Sequence, residues 1–176
     1  MRILPFLLML LAGCPARSPQ QALSGAPDAG QPGNPYYSRT DTTVLHVGDA
    51  EWKRILPADV YAIAREKDTE RAFTGKYWNF SGLGVYYCAV CGNALFRSDA
   101  KFASSCGWPS FFETLRATSV TYQDDHSYGM ERVEVLCGRC GSHLGHLFDD
   151  GPPPTGKRYC MNSIVLEFEP DRQGGH

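Results

Sequence analysis

The chain has 176 residues and a formal net charge of -2 at neutral pH. That length holds one domain with a real core and hardly two. The charge excludes a protein held to nucleic acid by phosphate contacts, and a hydrophobic content of 43% fits a globular fold.

The N-terminus reads "MRILPFLLMLLAGC", with one cation, Arg2, ahead of an apolar run from Ile3 to Ala12. A bilayer span takes about 20 residues, so the run has the length of a signal-peptide core. Leu11-Ala12-Gly13-Cys14 resembles a bacterial lipobox, whose cysteine takes a lipid and becomes the new N-terminus. The alternative is an ordinary secretory signal, and on either reading the mature protein is exported. Residues 1–13 are read as signal peptide and Cys14 as the lipidation site of a periplasm-facing lipoprotein. Pro15, rather than aspartate, follows Cys14 and favours the outer membrane over the inner.

Residues 14–43 are rich in Pro, Gly, Ala, Ser and Gln. Such a stretch cannot bury enough surface to offset its ordering entropy, so it is read as a flexible tether. The domain is expected over 44–170, followed by a disordered tail, 171–176. Asp49 is expected to cap a short helix through Trp52 and Ile55, and Pro57 to open a second, "PADVYAIAREKD". Beyond it, "VYYCAVCGNALF", "SVTYQDD", "MERVEVLCGRCG" and "RYCMNSIVLEFEP" are β-rich runs separated by turn residues. The fold should be mainly β with one or two small helices near its start.

"CAVCGN" and "CGRCGS" are one local device used twice. Cys88, Cys91, Cys137 and Cys140 offer four thiolates, which suit a closed, tetrahedral structural zinc site. Gly92 and Gly141 allow the tight turns that aim them. Disulfides in an exported protein, or a redox CxxC, are the alternatives. Matched flanks on both hooks favour zinc.

Cys14 and the four hook cysteines leave Cys106 and Cys160. If "RYCMNSIVLEF" is one strand, Arg158, Cys160 and Asn162 share a face. Arg158 would favour the nucleophilic thiolate, and Asn162 could hydrogen-bond it or a substrate. A buried structural cysteine remains the competing reading. Upstream, His143, His146 and Asp150 precede a Pro-rich turn that returns the chain to Cys160, so an imidazole could serve as general acid. Around Cys106, "FASSCGWPSFFE" holds Trp108, which could wall a sulfur-methyl group or simply fill the core.

In order, "TERAFTGKYW", "CAVCGNALF", "SSCGWPSF" and "CGRCGSHLGHLFDDGPPPTGKRYCMNS" closely resemble the B-type peptide methionine sulfoxide reductases, from about Trp52 to Phe168. The resemblance implies a small barrel-like pair of antiparallel sheets with a few peripheral helices and a zinc-ribbon-like four-cysteine site. It implies reduction of methionine-R-sulfoxide in oxidised proteins or peptides, structural Zn2+ and no organic cofactor. Cys160 matches the nucleophile and Cys106 the resolving thiol, which would form a Cys160–Cys106 disulfide for a thioredoxin-like dithiol to reduce. Trp108 matches the wall against the substrate methyl, with Phe111 and Phe148 expected beside it. His143, His146, Asp150, Arg158 and Asn162 match the pocket that positions substrate and protons. Ser105 departs from the glycine usual before the resolving cysteine, and Met161 from the usual isoleucine or valine. A zinc-ribbon binding module and a general thiol oxidoreductase are the rival functions. A monomer is expected, touching the membrane through its lipid alone.

Overall fold

The computed structural model describes residues 33–172. The signal peptide, Cys14, tether residues 14–32 and tail residues 173–176 lie outside the described residues. Among the described residues, two α-helices, α1 (Asp49–Ile55) and α2 (Ala58–Glu66), precede nine strands. These are β1 (Gly84–Cys88), β2 (Ala94–Arg97), β3 (Lys101–Phe102), β4 (Ser110–Phe111), β5 (Val120–Asp125), β6 (Arg132–Cys137), β7 (His143–Phe148), β8 (Arg158–Met161) and β9 (Leu166–Pro170). They make a three-stranded sheet, β2-β1-β9, and a six-stranded sheet, β3-β4-β8-β7-β6-β5. All pairings are antiparallel. The fold is mainly β, as the turn-punctuated strand pattern predicts.

Between the sheets, Phe96 stacks on Phe111 at 4.3 Å, and Tyr86 meets Phe111 edge-on at 5.0 Å. All three rings are fully buried. Phe111 was expected beside the substrate, and the structure corrects this. On β4, Ser110 pairs with Cys160 and Phe111 with Tyr159. Alternation therefore sends Phe111 to the core face opposite the thiol.

The run "RYCMNSIVLEF" is not one strand. A 3-10 turn at Ser163–Val165 separates β8 from β9, and the two strands lie in different sheets. The Glu70 carboxylate holds the break by accepting the Ser163 and Ile164 N–H groups at 2.6 and 3.1 Å. Asp49 lies inside α1 with Gly48 at the N-cap, and it pairs with Arg65 at 2.7 Å instead of capping.

The upstream boundary also moves. Residues 34–45 form a strap across both cysteine hooks. Asn34, buried, donates to the Val90 carbonyl at 2.8 Å. The Ser38 N–H reaches the Cys91 carbonyl at 3.0 Å, and the Leu45 N–H reaches the Arg139 carbonyl at 2.7 Å. Buried Arg139 returns bonds to the Tyr36 carbonyl and Asp41. Arg39 pairs with Glu169 at 2.6 Å, and Tyr36 packs edge-on against Trp52. A tether through residue 43 is thus too long by about ten residues, because Asn34 and Tyr36 have buried partners in Val90 and Trp52, and Arg39 is tied to β9 through Glu169. Similarly Asp171, expected in the loose tail, pairs with Arg97 at 2.8 Å.

Candidate active site and cysteine cluster

The hooks come one from each sheet. Cys88 ends β1, Cys137 ends β6, and Cys91 and Cys140 lie in the turns that follow. Each turn closes by a glycine N–H to the first cysteine's carbonyl, Gly92 to Cys88 at 2.8 Å and Gly141 to Cys137 at 2.9 Å. Both glycines have positive φ, at 79 and 68, where a side chain is strained. All four sulfurs are buried and lie within 4.8 Å of one another. Across the hooks, Cys88–Cys140 is 3.8 Å and Cys91–Cys137 is 3.6 Å. Thiolates about 2.3 Å from a tetrahedral zinc stand roughly 3.8 Å apart, so the donor set fits a metal ion. It does not fit disulfides, whose S–S bond is about 2.05 Å. Ser142 Oγ, 3.2 Å from Cys140, and Asn93 Nδ2, 3.6 Å from Cys137, approach the sulfurs from the second rank.

The second thiol pair lies on the six-stranded sheet. Register sets Ser110, Cys160, His146 and Glu134 in one row across β4, β8, β7 and β6. Cys160 lines a pocket of about 140 Å³ with Trp108, His146, Phe148, Arg132, Asn162 and others. Cys106 Sγ stands 3.5 Å from Cys160 Sγ and 3.4 Å from Ser110 Oγ. Ser105 is exposed, so its side chain leaves this approach open. Trp108 donates its indole N–H to the Glu70 carbonyl at 3.1 Å, which fixes the ring as a wall. Phe148 is a second wall, and the Arg158 guanidinium lies 4.3 Å over it.

Arg158 makes a two-pronged bond to Asp150 at 2.7 and 2.8 Å. Asp150 is largely exposed and outside the pocket lining, so it acts on Arg158 and not on a ligand there. Asn162 is buried and works as a brace. Its Oδ1 accepts the Glu70 N–H at 3.1 Å, and its Nδ2 donates to the Leu144 carbonyl at 3.2 Å.

The expected thiolate on Cys160 needs correcting for the resting pair. Burial pushes the Cys160 thiol up, Cys106 adds to this, and Arg158 only partly opposes them, leaving about 12. Burial also acts against ionisation of Cys106. Hydrogen bonds with Ser104, Ser110, the Trp108 backbone and Cys160 outweigh it, and the thiol falls to about 7. Two sulfurs in contact titrate as a pair, so one proton held on Cys160 serves the anion on Cys106. Asp150 takes up much of the Arg158 charge that the sequence reading assigned to Cys160.

His143 and His146 are three apart and would face opposite sides of a regular strand. A bulge in β7 intervenes, since Val135 pairs with Gly145 and Leu136 with His143. The rings consequently share a face at 5.4 Å, edge to face. His146 lines the Cys160 pocket, whereas His143 lines the polar cleft beside it. Glu134, Asp125, Lys67, Arg132 and Glu70 also stand at the site, and no sequence motif singles them out. Alternation in "RVEV" puts Glu134 on the face opposite the two valines, where solvent is expected, so the strand pattern carried no signal of its burial.

Two antiparallel sheets, paired thiols at a walled pocket and a separate four-cysteine cluster define a two-thiol oxidoreductase with a structural metal-type site. Comparison with known proteins places it more closely. Residues 56–170 match the SelR domain model. The chain is 57% identical over 122 residues to a peptide methionine sulfoxide reductase MsrB of Thiobacillus denitrificans, covering 69% of this chain and 92% of that protein. It is 51% identical over 126 residues to the protein of that name in Methanosarcina barkeri, covering 72% and 89%. For Azotobacter vinelandii the identity is 52% over 123 residues, covering 70% and 92%. The chain belongs to the SelR family, the B-type peptide methionine sulfoxide reductases, and is an oxidoreductase.

Proposed function

We propose that the protein reduces the R epimer of peptide-bound methionine sulfoxide through Cys160 and recycles through Cys106. The observation that carries this reading is the 3.5 Å approach of the two sulfurs beside a pocket walled by Trp108 and Phe148. Cys160 gives its proton to the imidazole assembly as its sulfur attacks the sulfoxide sulfur. That proton passes to the sulfoxide oxygen, the oxygen moves to Cys160, and methionine leaves. Cys160 is then a sulfenic acid. The Cys106 thiolate attacks that sulfur, the S–O bond breaks, and hydroxide leaves as water after taking a proton. A thioredoxin-like dithiol reduces the resulting disulfide by exchange. Epimer choice follows from chirality at sulfur: methyl against Trp108, oxygen toward the imidazole and chain toward solvent fit one hand only.

A blocked peptide carrying either sulfoxide epimer, with dithiothreitol as reductant, tests this. Methionine is expected from the R epimer alone, and equal turnover of both epimers defeats the reading.

Cys88, Cys91, Cys137 and Cys140 would hold Zn2+, which cross-links the two sheets and leaves no open coordination position for chemistry. Elemental analysis should find about one zinc per chain, and chelation should lower the melting temperature by well over 10 °C, since structural zinc contributes on the order of 10 kcal/mol. A metal content far below one per chain removes this assignment.

We also propose residues 1–13 as a signal peptide and Cys14 as the lipid anchor of a monomeric, periplasm-facing outer-membrane lipoprotein that repairs oxidised exported proteins. Labelled palmitate should enter the protein and be lost in Cys14→Ala; equal labelling of both refutes the anchor.

A further inference from the structure

Beside the Cys160 pocket, each histidine is held by a carboxylate, and each carboxylate is held by a cation. His143 Nδ1 lies 2.7 Å from Glu134 Oε1, and Glu134 Oε2 lies 2.8 Å from Lys67 Nζ. His146 Nε2 lies 2.8 Å from Asp125 Oδ2, and the same oxygen lies 2.6 Å from Arg132. An ionised carboxylate only accepts, so the imidazole nitrogen facing it must carry the hydrogen. The two rings are thereby fixed in opposite tautomers. His143 bears its hydrogen on Nδ1, and His146 bears its hydrogen on Nε2.

Burial makes the arrangement consequential. Glu134 is 2% exposed and His143 is 2% exposed. His143 Nε2 is buried with no hydrogen-bond partner among the described residues, and His143 lines the polar cleft that shares Thr69, Arg132 and His146 with the Cys160 pocket. A bare lone pair is kept there at a desolvation cost, which is unusual unless something is to be accepted.

Lys67 supplies an independent sign. It is the residue after α2 and adopts φ 61, ψ 33, the left-handed conformation in which helices usually end on glycine. A lysine is strained there. The conformation ends α2 at the point where the ammonium reaches Glu134, while its side chain stays about half exposed.

We propose that Glu134 and Asp125, each backed by its cation, Lys67 or Arg132, are positioning residues that hold His143 and His146 in opposite tautomers for proton delivery to the reacting oxygen. The idea rests on the sulfoxide-reductase reading, but half of its test does not.

The test uses the full chain. In wild type, nitrogen-15 NMR should show His143 protonated at Nδ1, with a downfield proton characteristic of an imidazole–carboxylate bond. Glu134→Gln should remove that resonance and lower kcat by roughly 10-fold or more with KM within about twofold, since losing the outer partner of a histidine costs about 10- to 100-fold at metal sites and more in a catalytic triad. Lys67→Met should shift the resonance and lower kcat in the same direction, and Lys67→Arg should restore both. A wild-type His143 protonated at Nε2, or a folded Glu134→Gln with unchanged kcat, overturns the proposal. Should Glu134→Gln fail to fold, Lys67→Met decides: an unmoved resonance and an unchanged kcat overturn it. If wild type reduces neither sulfoxide epimer, the functional reading fails, while the resonance still reports on the tautomer.

Discussion

Replacing Cys160 with serine is expected to abolish methionine formation, by a factor on the order of 10³ or more. The magnitude follows from what the sulfur must do. It has to attack another sulfur and then carry the transferred oxygen as a sulfenic acid. A serine hydroxyl is a far weaker nucleophile toward sulfur, and taking up the oxygen would leave it as a C–O–O–H hydroperoxide instead. Stability should hardly change. Serine is close to cysteine in size, and Cys160 sits half-buried at the pocket, outside the main core cluster. The measurement is methionine released from an R-sulfoxide peptide, read beside the melting temperature. Residual activity near wild type, with the fold intact, would move the nucleophile away from Cys160 and leave Cys106 as the remaining half-exposed thiol among the described residues.

The sequence made the hooks legible because their chemistry is local. Two residues between cysteines and a glycine after them fix each turn, and two matched turns imply four ligands. Cys160 was legible by subtraction from the other cysteines. The strand class was legible from β-rich runs between turn residues. What could not be read depended on partners distant in the chain. Nothing in "NPYYSRT" announces that Asn34 will meet Val90, or that Arg39 will meet Glu169, so the strap looked like tether. The break between β8 and β9 depends on Glu70, more than ninety residues upstream. Phe111 was misplaced because its face is set by the pairing of β4 with β8, a register that "PSFFE" alone does not contain. The histidines show a mixed case. Their proximity was legible, but the bulge that puts both rings on one face arises only from pairing with β6.

Replacing Cys106 with serine should separate chemistry from recycling. One methionine per chain should still form without reductant, at a rate within a few-fold of wild type. Steady turnover with a thioredoxin-like protein dithiol should fall by about 100-fold or more, because no thiol stands 3.5 Å from the sulfenic acid to displace its oxygen. Dithiothreitol, small enough to enter the pocket, should restore part of the turnover. The exposed position of Ser105 predicts that Ser105→Gly will not improve on wild type. Removing Cys106 also changes ionisation in a predictable direction. Burial still pushes Cys160 up, but the repulsion and hydrogen bond from Cys106 disappear, while Arg158 remains to favour the thiolate. Cys160 in Cys106→Ser should therefore be alkylated by iodoacetamide at a lower pH than the value of about 12 in the intact pair. In wild type the first thiol alkylated as pH rises through about 7 should be Cys106, since the thiolate fraction grows above its pKa. Mass spectrometry of the labelled peptides reads both outcomes. Undiminished turnover with the protein dithiol in Cys106→Ser would remove the resolving role, and the 3.5 Å contact would then serve only to set the proton between the two sulfurs.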